Sequence, residues 1–117
     1  MKYEELEEKV NQWAADKGIL EKATALSQLG KTQEELDETR QALLALEFAQ
    51  DDNNKDGQLK RSEALAEVED GIGDMLVTII ICAKLAGLNS VECLEAAYNV
   101  IKTRTGKMEN GVFVKDA

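Results

Sequence analysis

Hydrophobic residues recur every three or four positions along most of the chain, and this spacing predicts amphipathic helices. A first helix is predicted from about Tyr3 to Asp16, and a second, long helix from about Thr24 to Gln50. A third is predicted from about Leu59 to Ala86. A fourth, which opens with the pattern of a capping box, runs from about Asn89 to Thr103. The valines and phenylalanine after the turn signal Asn110-Gly111 favour an extended segment.

These elements predict one all-α domain over residues 1–117, built like a four-helix bundle with a short extended C-terminal tail. The second half of the third helix is apolar nearly all round, so we expect it to be the central buried helix. Its residues Ile79, Ile80, Ile81 and Cys82 point in four directions. So short a chain has few elements to cover them all, and we therefore expect a homodimer or a dimer of dimers.

Composition supports the helical prediction and narrows the function. The 117 residues include no proline and few aromatics, and their net charge of -9 argues against binding nucleic acid through the general surface. The absence of histidine excludes a Ser-His-Asp site, and Cys82 and Cys93 form no disulfide framework. The charged N-terminus predicts no signal peptide, and the longest apolar stretch is too short to cross a membrane, so we expect a cytoplasmic protein.

Two groups of acidic residues fall on faces that should point towards apolar surface. Glu35 and Glu38 share one face of the second helix, and that face continues as an apolar stripe. Asp74 lies in the most apolar segment of the third helix, with Asp70 and Glu67 behind it on the same face.

An unpaired ionised carboxylate in such a place would cost several kcal/mol or would take up a proton. Too few cations lie nearby in sequence to compensate, whereas a divalent cation would, and ligation by oxygen alone suits magnesium. The alternative is that each acid lies on a solvated face, with Lys31 pairing with Glu35.

Basic residues gather at the other end of the chain. Lys102, Arg104, Lys107 and Lys115 fall in the last helix and the tail, where they would suit phosphate groups that a metal does not reach. Favourable charge at a helix C-terminus explains Lys102 and Arg104 equally well.

The acidic motifs resemble those of the MazG-like family of all-α nucleoside triphosphate pyrophosphohydrolases. The EExxE motif of that family stands here as Glu34-Glu35-Leu36-Asp37-Glu38, and the sequence IGDML, within residues 67–76, looks like its next helix. The ending AAYNVIKTRTGKMENGVFVK is similar to that of small, phage-type members. The resemblance covers nearly the whole chain from Trp13 onward.

The resemblance implies a magnesium-dependent hydrolysis of (d)NTP to (d)NMP and pyrophosphate, with manganese as a substitute metal. It implies metal ligation by Glu35, Glu38, Asp70 and Asp74, with Glu67 in reserve. Glu38 or Glu35 would orient or deprotonate the attacking water. It also implies dimers that build the substrate pocket from two subunits, with the tail reaching across to the neighbour's metal site.

The chain departs from the family pattern at Gly71, where the ExxD glutamate should stand. We expect Asp70 to replace that glutamate. If Gly71 merely vacates the position, a Gly71→Glu variant should be tolerated, whereas an added acid should reduce activity if Asp70 already fills the coordination sphere. The substrate-binding candidates are Asn99 and Lys102, nearest to the family's asparagine and lysine, together with Lys31, Arg104, Lys107 and Lys115. Trp13 is either a stacking platform for the base or a core residue.

Two other functions remain open. Asp52-x-Asn54-x-Asp56-Gly57 followed by Glu63 fits the EF-hand calcium loop, although Lys55 and Lys60 oppose it and a second loop is missing. The chain would then be a calcium-binding helical protein. In the third interpretation it is a helical interaction module without catalysis, whose acids are solvated or lie between subunits. The preferred base and sugar, and the place in nucleotide metabolism, do not follow from the sequence.

Overall fold

The computed structural model describes residues 1–50 and 55–117, with side chains outside residues 50–59. The described residues form five helices and one β-hairpin. They are α1 (Tyr3–Asp16), α2 (Ile19–Lys22), α3 (Ala25–Gln50), α4 (Lys55–Leu85), α5 (Ser90–Ile101), β1 (Gly106–Glu109) and β2 (Val112–Lys115). The predominantly helical architecture is as predicted. The calcium-loop prediction depends on residues 52 and 54, which lie outside the described residues.

Local sequence signals account for the ends of several elements. Gly18 adopts the left-handed region (φ 80°) between α1 and α2, which glycine enters without strain. Thr24 and Ser27 exchange side chain to backbone hydrogen bonds of 2.9 and 3.0 Å at the start of α3. The Asn89 side chain accepts a hydrogen bond from the backbone amide of Glu92 at 3.1 Å and so caps α5.

The hairpin follows the predicted turn. Asn110 and Gly111 have positive φ angles of 51° and 80°, which is the geometry of a tight two-residue hairpin loop. Glu109 pairs with Val112 beside the turn, and Gly106 pairs with Lys115 at the open end. Every residue of the two strands is exposed, and the strands pack on none of the described helices.

The long helices α3 and α4 form an antiparallel helical hairpin that holds most of the core. Small side chains are buried along it, including Ala42 and Ala49 on α3 and Ala64 on α4. The α1 helix packs against α4, and Ala14 of α1 is completely buried.

A buried carboxylate ties α1 to α5. Glu7 accepts hydrogen bonds from Asn89 Nδ2 (2.7 Å), from the backbone amide of Val91 (3.2 Å) and from Ser90 Oγ. Because helix N-termini attract negative charge, this acid has a structural role in holding α5 in place.

The apolar run in α4 is only partly covered by the chain. Ile80 and Ile81 are buried and Cys82 is half-buried, whereas Ile79 is 45% exposed. Among the described residues, no single helix is long and apolar enough to cross a membrane. The helices α4 and α5 meet that length and composition only when joined across a 99° bend.

Candidate metal and nucleotide site

One hydrogen bond and one close approach fix the register between α3 and α4. The hydroxyl groups of Thr32 and Thr78 are 2.7 Å apart and share a hydrogen bond across the helices. Seven residues further along α3, Thr39 faces Gly71, which lies seven residues before Thr78. The helices therefore run antiparallel in a fixed alignment that places the EExxE segment opposite Gly71 and Asp74.

Gly71 is not an empty position that awaits a side chain. A Cβ at residue 71 would collide with Thr39 Oγ1 and would lie 3.1 Å from Thr39 Cβ. Gly71 is buried, and the absence of a side chain lets the two helices approach closely. The contact with Thr39 argues against tolerance of Gly71→Glu, because a side chain at residue 71 would collide with Thr39 between the helices.

Glu35 lies between these two contacts, three residues after Thr32 and four before Thr39. This spacing puts it on the face of α3 that packs against α4, and its side chain is half-buried. Its Oε2 atom is buried and accepts no hydrogen bond from any residue that the structure describes. A buried polar atom without a partner is costly, so it requires a physical explanation.

The surroundings of Glu35 also disfavour the ionised form of its carboxyl group. Burial raises the pKa of the Glu35 carboxyl group, and the negative charges of Glu38 and Asp74 raise it further. The positive charge of Lys31 opposes this shift in pKa. Acids from α3 and α4 thus crowd one side of the helical hairpin, where a cation would relieve their repulsion.

The other predicted ligands surround a small cavity next to Glu35. The cavity has a volume of about 220 Å³ and lies between α3 and α4. It is lined by Glu38, Ala42, Glu67, Asp70, Gly71 and Asp74. The structure therefore brings Glu38 together with Asp74 and with both candidates for the missing ExxD glutamate, Asp70 and Glu67.

The donor set fits magnesium in its chemistry. Every candidate ligand is a carboxylate, and Glu35 presents an oxygen that lacks a hydrogen-bond donor. Within the described part of the chain, no three of these carboxylates are already arranged as a closed set of metal ligands. Magnesium commonly keeps several waters and takes few carboxylates, so a closed cage of protein ligands is not required.

A larger pocket adjoins the carboxylates, between the N-terminal part of the chain and α4. It has a volume of about 690 Å³, within the usual range for small-molecule sites. Glu35 and Asp74 form part of its wall, so it is continuous with the acidic cluster. Trp13 and Val77 supply apolar surface, and Lys31, one of the candidate substrate-binding residues, also lines the pocket.

The C-terminal cations lie elsewhere. None of Asn99, Lys102, Arg104, Lys107 and Lys115 lines this pocket within the single chain. Lys102 instead donates to Asn99 Oδ1 at 3.1 Å, and Lys107 forms an ion pair of 3.4 Å with Glu109. Their predicted contact with a substrate would require the neighbouring subunit.

Sequence reasoning missed two cations of the pocket, Lys17 and Lys22. Both lie in the turn region between α1 and α3, far in sequence from the acidic motifs. The left-handed Gly18 between them was the available signal, because it separates α1 from α2.

Comparison with protein-family models, with curated proteins and with solved structures finds no match.

Proposed function

We propose that the chain is a magnesium-dependent nucleoside triphosphate pyrophosphohydrolase with a MazG-type fold. The observation that carries the proposal is Glu35, whose buried Oε2 lacks a donor while Glu38 and Asp74 crowd the same carboxyl group. A structural carboxylate in a helix interface would find a donor or a cationic partner. A binding site for a metal and a phosphate chain explains why none is provided.

The different linings of the small cavity and the larger pocket support a nucleotide as the substrate. The small cavity is acidic and suits a metal ion, whereas the adjoining pocket combines lysines with the Trp13 ring. A nucleoside triphosphate has matching parts, namely phosphates that bind a metal and a flat base that stacks on aromatic surface.

Glu35, Glu38, Asp70 and Asp74 would hold magnesium, with Glu67 on the same cavity wall. When bound, the ion polarises the phosphates and lowers the pKa of a coordinated water. We assign the role of proton acceptor to Glu35 ahead of Glu38, because Glu35 also lines the nucleotide pocket. The water oxygen forms a bond to the α-phosphorus, the bond to the bridging oxygen breaks, and pyrophosphate leaves.

A second copy of the chain is part of the proposal. Six large apolar side chains on one side of α3 and α4 are 37–55% exposed, and we call them the apolar face: Leu29, Leu36, Leu43, Leu65, Ile72 and Ile79. Together they expose roughly 500 Å², as much as the largest patch on a typical monomer. In the proposed dimer this face packs against the same face of a second copy about a two-fold axis, and the two antiparallel helical hairpins complete a four-helix bundle.

The dimensions of the chain agree with an incomplete core. Its radius of gyration is 17.6 Å, compared with about 13 Å for a compact domain of this length. The β-hairpin extends away from the helices and exposes Met108, Val112 and Phe113. A tail of this kind suits a contact with a neighbouring subunit, which would bring the C-terminal cations to a shared site.

The decisive variant is Glu35→Gln, which preserves size but removes the charge. We expect pyrophosphate release from triphosphates to be lost while the circular dichroism spectrum stays helical. Asp37→Asn is the matched control, since Asp37 is exposed in the same motif and accepts a hydrogen bond from Gln33. Full turnover in the Glu35 variant, or equal loss in both variants, would refute the assignment of the site.

A further inference from the structure

The turn region between α1 and α3 carries cations into the nucleotide pocket. Lys17 follows the last residue of α1, and Lys22 is the last residue of α2. The left-handed Gly18 separates α1 from α2, and both lysines line the pocket that contains Glu35 and Asp74. Lys31 on α3 completes a group of three cations from three elements.

This local charge is opposite to that of the molecule as a whole. The chain has 23 acidic and 14 basic residues, yet the pocket wall carries three lysines and two acids. The two acids are Glu35 and Asp74, which are proposed ligands of the metal. Lys31 is engaged with Glu34 at 2.8 Å, whereas Lys17 and Lys22 form no ion pair with any residue that the structure describes.

We infer that Lys17 and Lys22 form a subsite for the β- and γ-phosphates of the substrate. The inference rests on the proposed function and adds the basis for selecting a triphosphate over a monophosphate. A ligand in the pocket meets both the carboxylates of Glu35 and Asp74 and the ammonium groups of the lysines, which suits a polyanion that also binds a metal. The phosphate chain of a nucleoside triphosphate has that chemistry.

The subsite also has a role in product release. The two distal phosphates leave together as pyrophosphate, and the negative charge on them grows as the bond to the α-phosphate breaks. Ammonium groups beside them stabilise that charge without taking part in proton transfer. The tail lysines do not line this pocket within one chain. Lys17 and Lys22 therefore bind the distal phosphates even where the neighbour's tail is absent.

The test measures the binding of a non-hydrolysable nucleoside triphosphate analogue and of the matching monophosphate, each with magnesium, by calorimetry. We expect Lys17→Gln and Lys22→Gln to weaken binding of the triphosphate analogue by about tenfold each, as for a charged hydrogen bond. Monophosphate binding should change by less than about threefold, because this ligand lacks the two phosphates that the subsite binds. Lys22→Arg keeps the charge and should retain most of the affinity.

Lys84→Gln is the matched control, since Lys84 is exposed and lines a different cavity. An equal loss of triphosphate and monophosphate binding in the two lysine variants, or no loss of either, would overturn the subsite. Neither result contradicts the proposed function, provided that the wild-type protein hydrolyses triphosphates. If wild type binds no triphosphate analogue, the proposed function fails together with the subsite.

Discussion

Replacement of Gly71 by alanine tests the close approach that aligns the two carboxylate-bearing helices. The added Cβ would lie 3.1 Å from Thr39 Cβ and 3.4 Å from Thr39 Cα, and would collide with the hydroxyl oxygen. Rotation of the Thr39 side chain would remove only the hydroxyl collision. It would also break the 2.7 Å hydrogen bond from Thr39 Oγ1 to the carbonyl oxygen of Glu35.

The expected cost follows from these distances. Non-bonded carbon atoms prefer about 3.5–4.0 Å, so the helices must separate by roughly 0.5 Å at this point. Such overpacking costs about 2 kcal/mol. Alanine recovers about 1 kcal/mol of the helix propensity that glycine lacks. We therefore expect Gly71→Ala to lower the free energy of unfolding by about 1 kcal/mol.

A double-mutant cycle isolates the steric clash. In a Thr39→Gly background the added Cβ meets only the main chain of residue 39, so Gly71→Ala should stabilise the protein by about 1 kcal/mol. Urea denaturation followed by circular dichroism should thus give a coupling free energy of about 2 kcal/mol. Magnesium affinity should fall in Gly71→Ala and recover in the double variant. Additivity within about 0.5 kcal/mol would show that the helices do not approach closely here.

Three further predictions concern assembly and charge. Ile72→Lys on the apolar face should convert a dimer to a monomer in light scattering while Ala66→Lys does not, and a wild-type species near 12.9 kDa would contradict the dimer. In EDTA, Glu35→Gln should melt above wild type at about pH 8. The protonated Glu35 favours folding below its ordinary pKa, and this contribution is lost as pH rises through the raised pKa, so the difference should vanish near about pH 4. A melting difference that does not change with pH would contradict this reasoning. Mixing Glu38→Gln chains with chains that lack residues 105–117 should restore activity if the tail serves the neighbour, and no recovery would show that each chain works alone.

The helices with strong local signals were predictable from the sequence. The bounds of α1 agree with the prediction, and Asn89 caps α5 as its pattern indicates. The Asn110-Gly111 turn determines the β-hairpin, because it combines two positive φ angles with extended flanking residues. The four-residue helix α2 was missed, since so short a segment contains no helical periodicity.

The start of α4 also differs from the prediction. The segment around residue 55 is rich in turn-forming residues, so the sequence predicted a helix from about Leu59, whereas α4 begins at Lys55. Composition identifies residues that are able to form a turn, but it does not determine at which of them the next helix begins.

The candidate site was predictable only within each helix. Spacing along α3 and α4 placed Glu35 with Glu38 and Asp70 near Asp74, because residues three or four apart share a face. It did not reveal how the two helices align, so the role of Gly71 as a point of close packing remained hidden. Lys17 and Lys22 were missed for a related reason, because tertiary packing brings their elements to the pocket.

Product analysis tests the central claim most directly. Purified chain is incubated with a panel of NTPs and dNTPs plus magnesium, and the phosphorus products are separated and quantified. The proposal predicts nucleoside monophosphate and pyrophosphate in equal amounts from at least one triphosphate, with none from the Glu35→Gln variant. No pyrophosphate from any member of the panel, or the same yield from the variant, would contradict the proposed function.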